Sequence, residues 1–418
     1  MHQIKKYFAE IRRNSFFIFL NSILDRGIFF LFYIFLAHNV SRQEYGLIAS
    51  VFAFTNILQA IFDLGLPFYL QREAAVAKDF KNEMNSVILL KIISIILFIP
   101  IPLIYFMYNL NTDPKIVLII SLISFLWGVS SILNAIFYGY NRFRDSSLCL
   151  LLSRAIILFA FLINFIINLS PLFILIVFVI SSILHIVCFI LYFRKNKIWA
   201  FQFTVNFDLI KKIIKSAFPM GLGVIFILIY DRADILILQN ISGLGPVAFY
   251  SVAYSFYRSL QIFGLIFLIP KYNEFSKSYF SGKRMSLPKV KAVLITLLSS
   301  AFLIILIASV FGRDLIRIIY SPAYLYSGNI FVLLSFALPG VFMNNFTGVF
   351  LNSIRKEKIP AVTTGIGALF NIIVNILLIS SIGIWGAVIT TILTEYFVFL
   401  LQFLFLIHFK NKKVFVLE

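Results

Sequence analysis

Charge is in short supply in this chain, and negative charge most of all. Of its 418 residues 13% are charged, with 17 Asp and Glu against 36 Lys and Arg. A soluble protein of this length would be two or three domains under a well-charged surface, and there are too few charges for that. Only 2 cysteines occur, Cys149 and Cys188, both in or beside apolar segments. They form no metal or redox motif and read as core filler. The 4 histidines, His2, His38, His185 and His408, are scattered, and His185 reads as a packing residue. No HExxH, GxSxG or Walker loop occurs, which removes zinc hydrolysis, serine acyl transfer and ATP-driven work. No catalytic residue, metal site or cofactor is expected, and the chain is not expected to be an enzyme.

What the chain has instead is oil. It is 61% hydrophobic with a mean hydropathy of +0.98. Apolar runs of the length that crosses a hydrocarbon core, about twenty residues, recur almost from end to end. They are continuous rather than alternating, so they predict helices and not barrel strands. The spans expected are 14–38, 46–69, 85–108, 115–137, 147–168, 171–193, 213–239, 246–269, 289–312, 325–351, 360–381 and 383–408. The first has no small-residue cleavage site and reads as a retained helix rather than a signal peptide. Pro67, Pro114, Pro171, Pro246, Pro288 and Pro360 fall near span ends, where the missing N–H does least harm.

The net charge of +19 would suit nucleic acid, but the bases sit in short loops between spans. With both termini on one side, nearly all of them gather on that side. The opposite side holds Arg42, Lys115, Arg313 and Arg317. The positive-inside rule then predicts a multi-pass protein with both termini in the cytoplasm and no nucleic-acid partner. Residues 2–13 set Ile4, Phe8 and Ile11 against Lys5, Lys6, Arg12 and Arg13. That is either an interfacial helix on anionic lipid or a plain set of topology charges.

The polar loop 194–212 divides the spans six and six, giving lobes 1–200 and 201–418. An Asp–Arg pair stands inside an apolar segment of each half, as Asp25–Arg26 and Asp231–Arg232. Each is followed by an apolar half-helix, a short polar turn and a helix opening with small residues. Weak similarity at long period marks duplicated transporter halves, and six being even, the repeats are parallel. Charges at such depth are expensive and usually face a cavity, a partner or a pathway.

Several stretches are similar to the polysaccharide transporter family of the MOP flippase superfamily, closest to O-antigen (Wzx-type) flippases. They are "DILILQNISGLGPVAFYSVAYSFYR" from Asp234, "SRQEYGLIASVFAF", "FDLGLPFYLQREAA", and near the end "FNIIVNILLI" and "GIWGAVITT". The resemblance implies an all-α integral membrane fold, with twelve helices in two six-helix lobes around a V-shaped lumen. It implies a flippase that moves undecaprenyl-diphosphate-linked oligosaccharide, for O-antigen or a related surface polysaccharide, across the bacterial inner membrane by alternating access. Membrane lipids, a polysaccharide polymerase and a chain-length regulator would be its other partners.

A diphosphate leaving water needs cations, and Arg binds phosphate oxygens in pairs while keeping its charge at any depth. The deep cations are Arg26, Lys91, Arg154, Arg232 and Arg258. In the family the first, second, seventh and eighth helices line the opening, so Arg26, Arg232 and Arg258 are the expected diphosphate contacts. A structural or gating ion pair is the competing reading for them, and snorkelling is the favoured one for Lys91 and Arg154. Neighbouring residues point about 100° apart on a helix, so no Asp–Arg pair is expected within either dipeptide, and a cross-helix Asp–Arg lock between the halves is. Asp25, Asp63, Asp231, Asp234 and Glu395 are the candidates for ion coupling or gating, and Glu395 is expected to form a polar patch with Asn371 and Asn375. Pro219, Gly221, Gly223, Gly27, Pro339 and Gly340 are candidate hinges. The alternative function is an ion-coupled exporter of organic cations from the same superfamily. A membrane enzyme is disfavoured by the short outer loops.

Overall fold

Hydrocarbon offers no partner for a free N–H or C=O, and the backbone answers with helix along nearly all of its length. The computed structural model describes residues 2–76, 80–110, 112–164, 166–198, 206–280, 285–410 and 415–416. The helices are α1 (His2–Asn39), α2 (Arg42–Asp63), α3 (Leu66–Val76), α4 (Lys81–Phe98), α5 (Pro100–Leu110), α6 (Pro114–Gly139), α7 (Phe143–Asn164) and α8 (Pro171–Lys195). They continue as α9 (Phe207–Ser242), α10 (Leu244–Leu260), α11 (Ile262–Phe280), α12 (Leu287–Ile319), α13 (Leu325–Ser335), α14 (Leu338–Ser353), α15 (Lys358–Ile382) and α16 (Ile384–Lys410). Two-residue strands, β1 (Met285–Ser286) and β2 (Phe415–Val416), pair in parallel.

The expected spans fall mainly on helix, in the expected order, except that 46–69 breaks at Leu64–Gly65 between α2 and α3 and 147–168 outruns α7, which ends at Asn164. Ten stretches are long and apolar enough to cross a membrane by themselves, and eleven if the pair bent by 47° within 322–353 is one broken span. The remaining expected span, 246–269, falls on α10 and α11, which part at Gln261. The bend between α13 and α14 sits two residues before Pro339, among the expected hinges. Prolines open α6 and α8, where Asp113 and Ser170 accept the N–H of Lys115 and Phe173 at 2.9 and 3.2 Å. At α2, Ser41 Oγ accepts the N–H of Glu44 at 3.2 Å while Glu44 accepts the N–H of Ser41 at 3.1 Å, a reciprocal cap. Inside the spans, hydroxyls donate to a carbonyl one turn back, as Ser121 does to Val117 and Ser182 to Phe178, each at 2.7 Å.

The helices group into two units, one of Met1–Val40 with Val51–Ile225, the other of Ser41–Ser50 with Phe226–Glu418. The division falls inside α9. The sequence boundary at 200/201 lies in the segment 199–205, outside the described residues, as do Lys78, Lys283 and Arg284 of the basic loops and the side chains of residues 2–13. In the first unit, Leu66, Tyr69 and Leu70 of α3 pack with Met84 and Val87 of α4, Ile136 and Phe137 of α6, Phe189 and Phe193 of α8, and Ile213 and Ala217 of α9. In the second, α16 packs on α15 and α14, α11 on α14, and α13 on α12 and α10.

Candidate functional site

The second unit holds a connected set of deep polar groups, and helix geometry explains how they meet. Asp231 and Asp234 of α9 are three residues apart, while Tyr250, Tyr254 and Arg258 of α10 recur every four, so each set lies on one face of its helix. The two faces pair in antiparallel order. Tyr254 Oη donates to Asp231 Oδ1 at 2.6 Å, and Arg258 Nη2 reaches Asp231 Oδ2 at 3.0 Å. One step along, Tyr250 Oη donates to Asp234 and lies 3.0 Å from Thr391 Oγ1 of α16, and the backbone N–H of Ile235 donates to Asp234 at 2.8 Å. Asp234 is 2% exposed. Arg232 Nε also lies 3.4 Å from Asp231 Oδ2, so the expectation that neighbours on the helix would not pair is corrected. A long, bent Arg side chain overcomes the 100° between adjacent positions.

Glu395 of α16, 7% exposed, accepts from Asn344 Nδ2 of α14 at 2.7 Å. The expected patch of Glu395 with Asn371 and Asn375 forms otherwise. Asn375 donates to Asn371 at 2.9 Å, and Asn371 to Thr394 at 3.3 Å, while Glu395 turns to the other side of α16 and meets α14. Farther along, Thr347 donates to Gln402, and Gln402 donates to Thr363 at 3.2 Å. Polar side chains thus tie α14, α15 and α16 together where apolar packing alone gives no direction.

In the first unit Arg154 Nε of α7 pairs with Asp25 Oδ1 of α1 at 3.1 Å, and its Nη1 donates to Ser181 of α8 at 3.3 Å. Lys91 Nζ of α4 meets Asp63 Oδ1 of α2 at 2.5 Å, with Lys91 1% exposed, and stands 5.3 Å above the Phe125 ring. Both bases are interior partners of acids, which corrects the snorkelling expectation for each. Gly128 of α6 leaves the room that the Lys91 terminus fills. His185 is 6% exposed with its ring 4.2 Å from Phe189, as a packing residue would be.

The expected site residues therefore fall into three settings. Arg232 and Arg258 converge on Asp231, and Arg258, 42% exposed, has donors to spare. Asp25 and Asp63 are each tied to a base. Asp234 and Glu395 are held, among the described residues, by hydroxyl and amide donors. Arg26 is exposed and makes no ion pair among the described residues. The tyrosines Tyr250 and Tyr254 were not singled out from the sequence, although their four-residue spacing with Arg258 was there to read.

This arrangement can be set beside known proteins. Residues 11–269 match the family model described as polysaccharide biosynthesis protein. An uncharacterized membrane protein of Methanocaldococcus jannaschii is 33% identical over 211 residues, which is 48% of this chain and 40% of that protein. The fold is shared with the lipid II flippase MurJ in an inward closed conformation, with a TM-score of 0.67, 16% identity, and coverage of 94% of this chain and 87% of that one. It is shared equally with an inward-facing multidrug resistance MATE family transporter of the MOP superfamily, at TM-score 0.67, 11% identity, and 93% and 94% coverage. The chain belongs to the polysaccharide biosynthesis protein family and has the fold of the MOP-superfamily transporters.

Proposed function

We propose that this chain is a flippase for lipid-linked oligosaccharide, carrying undecaprenyl-diphosphate-linked repeat units of O-antigen or a related surface polysaccharide across the bacterial inner membrane by alternating access. The observation that carries this reading is the family match over residues 11–269. The deep Arg cluster supports it chemically. Arg258 spends one guanidinium nitrogen on Asp231 and keeps others for an anionic headgroup. In this reading Arg26, Arg232 and Arg258 contact the diphosphate, and Asp231 holds the latter two in place between cycles. The tail stays in the bilayer, so the protein handles only the polar part. Both termini lie in the cytoplasm, and a polymerase and chain-length regulator act downstream. The chemistry is movement, with no bond made or broken.

Coupling to an ion falls to Asp234 and Glu395. A carboxylate already tied to Arg or Lys, such as Asp25, Asp63 or Asp231, must give up that base before it binds a cation, and serves as a gate or brace instead. Asp234 and Glu395 have only neutral donors among the described residues and can take a proton or a sodium ion without that exchange.

The test is complementation of a flippase-deleted strain. The wild-type gene restores surface polysaccharide, and the triple variant Arg26→Ala, Arg232→Ala, Arg258→Ala, present in the membrane at equal level, restores less than a tenth of it. Full restoration by the triple variant would end the cationic-headgroup reading. No restoration by the wild type, with drug efflux in the same cells, would favour the organic-cation exporter.

A further inference from the structure

The two oxygens of Asp231 are used differently. Oδ1 accepts from the Tyr254 hydroxyl at 2.6 Å, while the guanidinium groups of Arg258 and Arg232 both close on Oδ2, at 3.0 and 3.4 Å. A carboxylate grips an arginine hardest when both of its oxygens meet two nitrogens of one fork. Tyr254 competes for the oxygen that such a grip would need. Its hydroxyl is fixed in that position. The Tyr254 side chain is buried, and its ring meets those of Tyr250 and Tyr257 at centroid distances of 5.6 and 5.5 Å. Tyr250 is itself anchored on Asp234 and Thr391. Access differs between the acid and its bases. The Asp231 side chain is 15% exposed and that of Arg232 18%, against 42% for Arg258. An anion coming from water therefore meets Arg258 first, with Asp231 behind it.

We propose that Asp231 is a built-in rival of the cargo headgroup for Arg258, and that Tyr254 sets the strength of the rivalry by holding one carboxylate oxygen. The ligand is a diphosphate diester carried on a lipid. Its oxygens can take two nitrogens of the Arg258 fork, where Asp231 presents one oxygen, so the headgroup displaces the acid by a small margin. A small margin suits a carrier, because binding must favour entry and still permit departure. Two unopposed arginines at depth would hold a dianion too firmly. Asp231 and Tyr254 are then positioning residues that act on the cargo through Arg258. Removing the charge of Asp231 tightens headgroup binding. Removing the Tyr254 hydroxyl frees Oδ1, tightens the acid on Arg258 and weakens headgroup binding.

The use of this rivalry in release rests on the flippase reading, whereas the order of affinities does not. The full chain in phosphatidylcholine nanodiscs is titrated with farnesyl-diphospho-N-acetylglucosamine, and with farnesyl N-acetylglucosaminide as the same lipid without its phosphates. Asp231→Asn is expected to raise affinity for the diphosphate probe about ten-fold and Tyr254→Phe to lower it about three-fold, with neither moving the uncharged probe. In an Arg258→Gln background the Tyr254→Phe effect disappears, which a purely structural role of the ring would not produce. Tyr254→Phe keeps the aromatic stack and decides the matter if Asp231→Asn does not fold. Affinity that fails to rise in Asp231→Asn or to fall in Tyr254→Phe would overturn the proposal, as would a wild type that does not bind the diphosphate probe. In the complementation strain Asp231→Asn, despite binding more tightly, restores less surface polysaccharide than the wild type, and full restoration would overturn its part in release. Failure of the wild-type gene to restore polysaccharide would end the flippase reading and leave the affinity order standing.

Discussion

Single residues carry the polar interior of this protein, and their neighbours set how much each matters. Asp231 accepts from Tyr254 and has the guanidinium groups of Arg258 and Arg232 beside it at 3.0 and 3.4 Å, whereas Asp234 has Tyr250 and one backbone N–H. Removing a donor from a buried acceptor costs about 1–3 kcal/mol when little else replaces it. Tyr250→Phe is therefore expected to lower stability by roughly that amount, and Tyr254→Phe by less than about 1 kcal/mol, since two guanidinium groups remain. Thermal unfolding in detergent checks the order, and a larger loss for Tyr254→Phe would contradict it. The depth of Asp63, Asp234 and Glu395 was legible in the sequence, because a charge in an apolar run announces itself, but Arg26 is exposed, and Lys91 and Arg154, expected to snorkel, are buried. Which partner each would choose was not. Asp25 finds Arg154 and Asp63 finds Lys91 only once α1 packs on α7 and α2 passes α4, and hydropathy does not encode helix adjacency.

At the scale of elements, the reading of helices from apolar runs held because a membrane leaves the backbone one solution. Breaks within runs were harder to see. The α10–α11 join at Gln261 lies in sequence with no turn signature, whereas the α4–α5 join at Ile99 stands directly before Pro100, a helix-breaking signal that hydropathy alone passes over. The α13–α14 bend was visible through Pro339. Where a helix starts in the loop, local chemistry does speak. The Ser41–Glu44 cap satisfies two orphan donors at the start of α2. Ser41→Ala is expected to cost about 0.5–2 kcal/mol, whereas Glu44→Gln keeps the reciprocal bond and changes little. Thermal midpoints of the two variants, measured side by side, test this.

For the whole molecule, the two Asp–Arg dipeptides that the sequence offered as a sign of duplication hold acids with different partners. Asp25 pairs with a distant Arg of another helix, while Asp231 gathers its own neighbour and one from the next helix. The charge distribution across loops gives an orientation that can be checked directly. In a background with Cys149 and Cys188 replaced by Ala, an impermeant maleimide is expected to label Lys115→Cys on intact cells and Arg142→Cys only after permeabilisation. The reverse pattern would invert the topology and with it the direction of any transport.

Between α2 and α3 the chain turns at Leu64–Gly65, both left-handed with φ of 44° and 80°, and this elbow fixes how the gene can vary. A helix turns about 100° with each residue, so losing or gaining one amino acid between Asp63 and Tyr69 would swing Tyr69, Leu70 and Ala74 away from their shared pocket. Insertions and deletions there should be absent from functional alleles, while the outer turns of the same protein can lengthen freely.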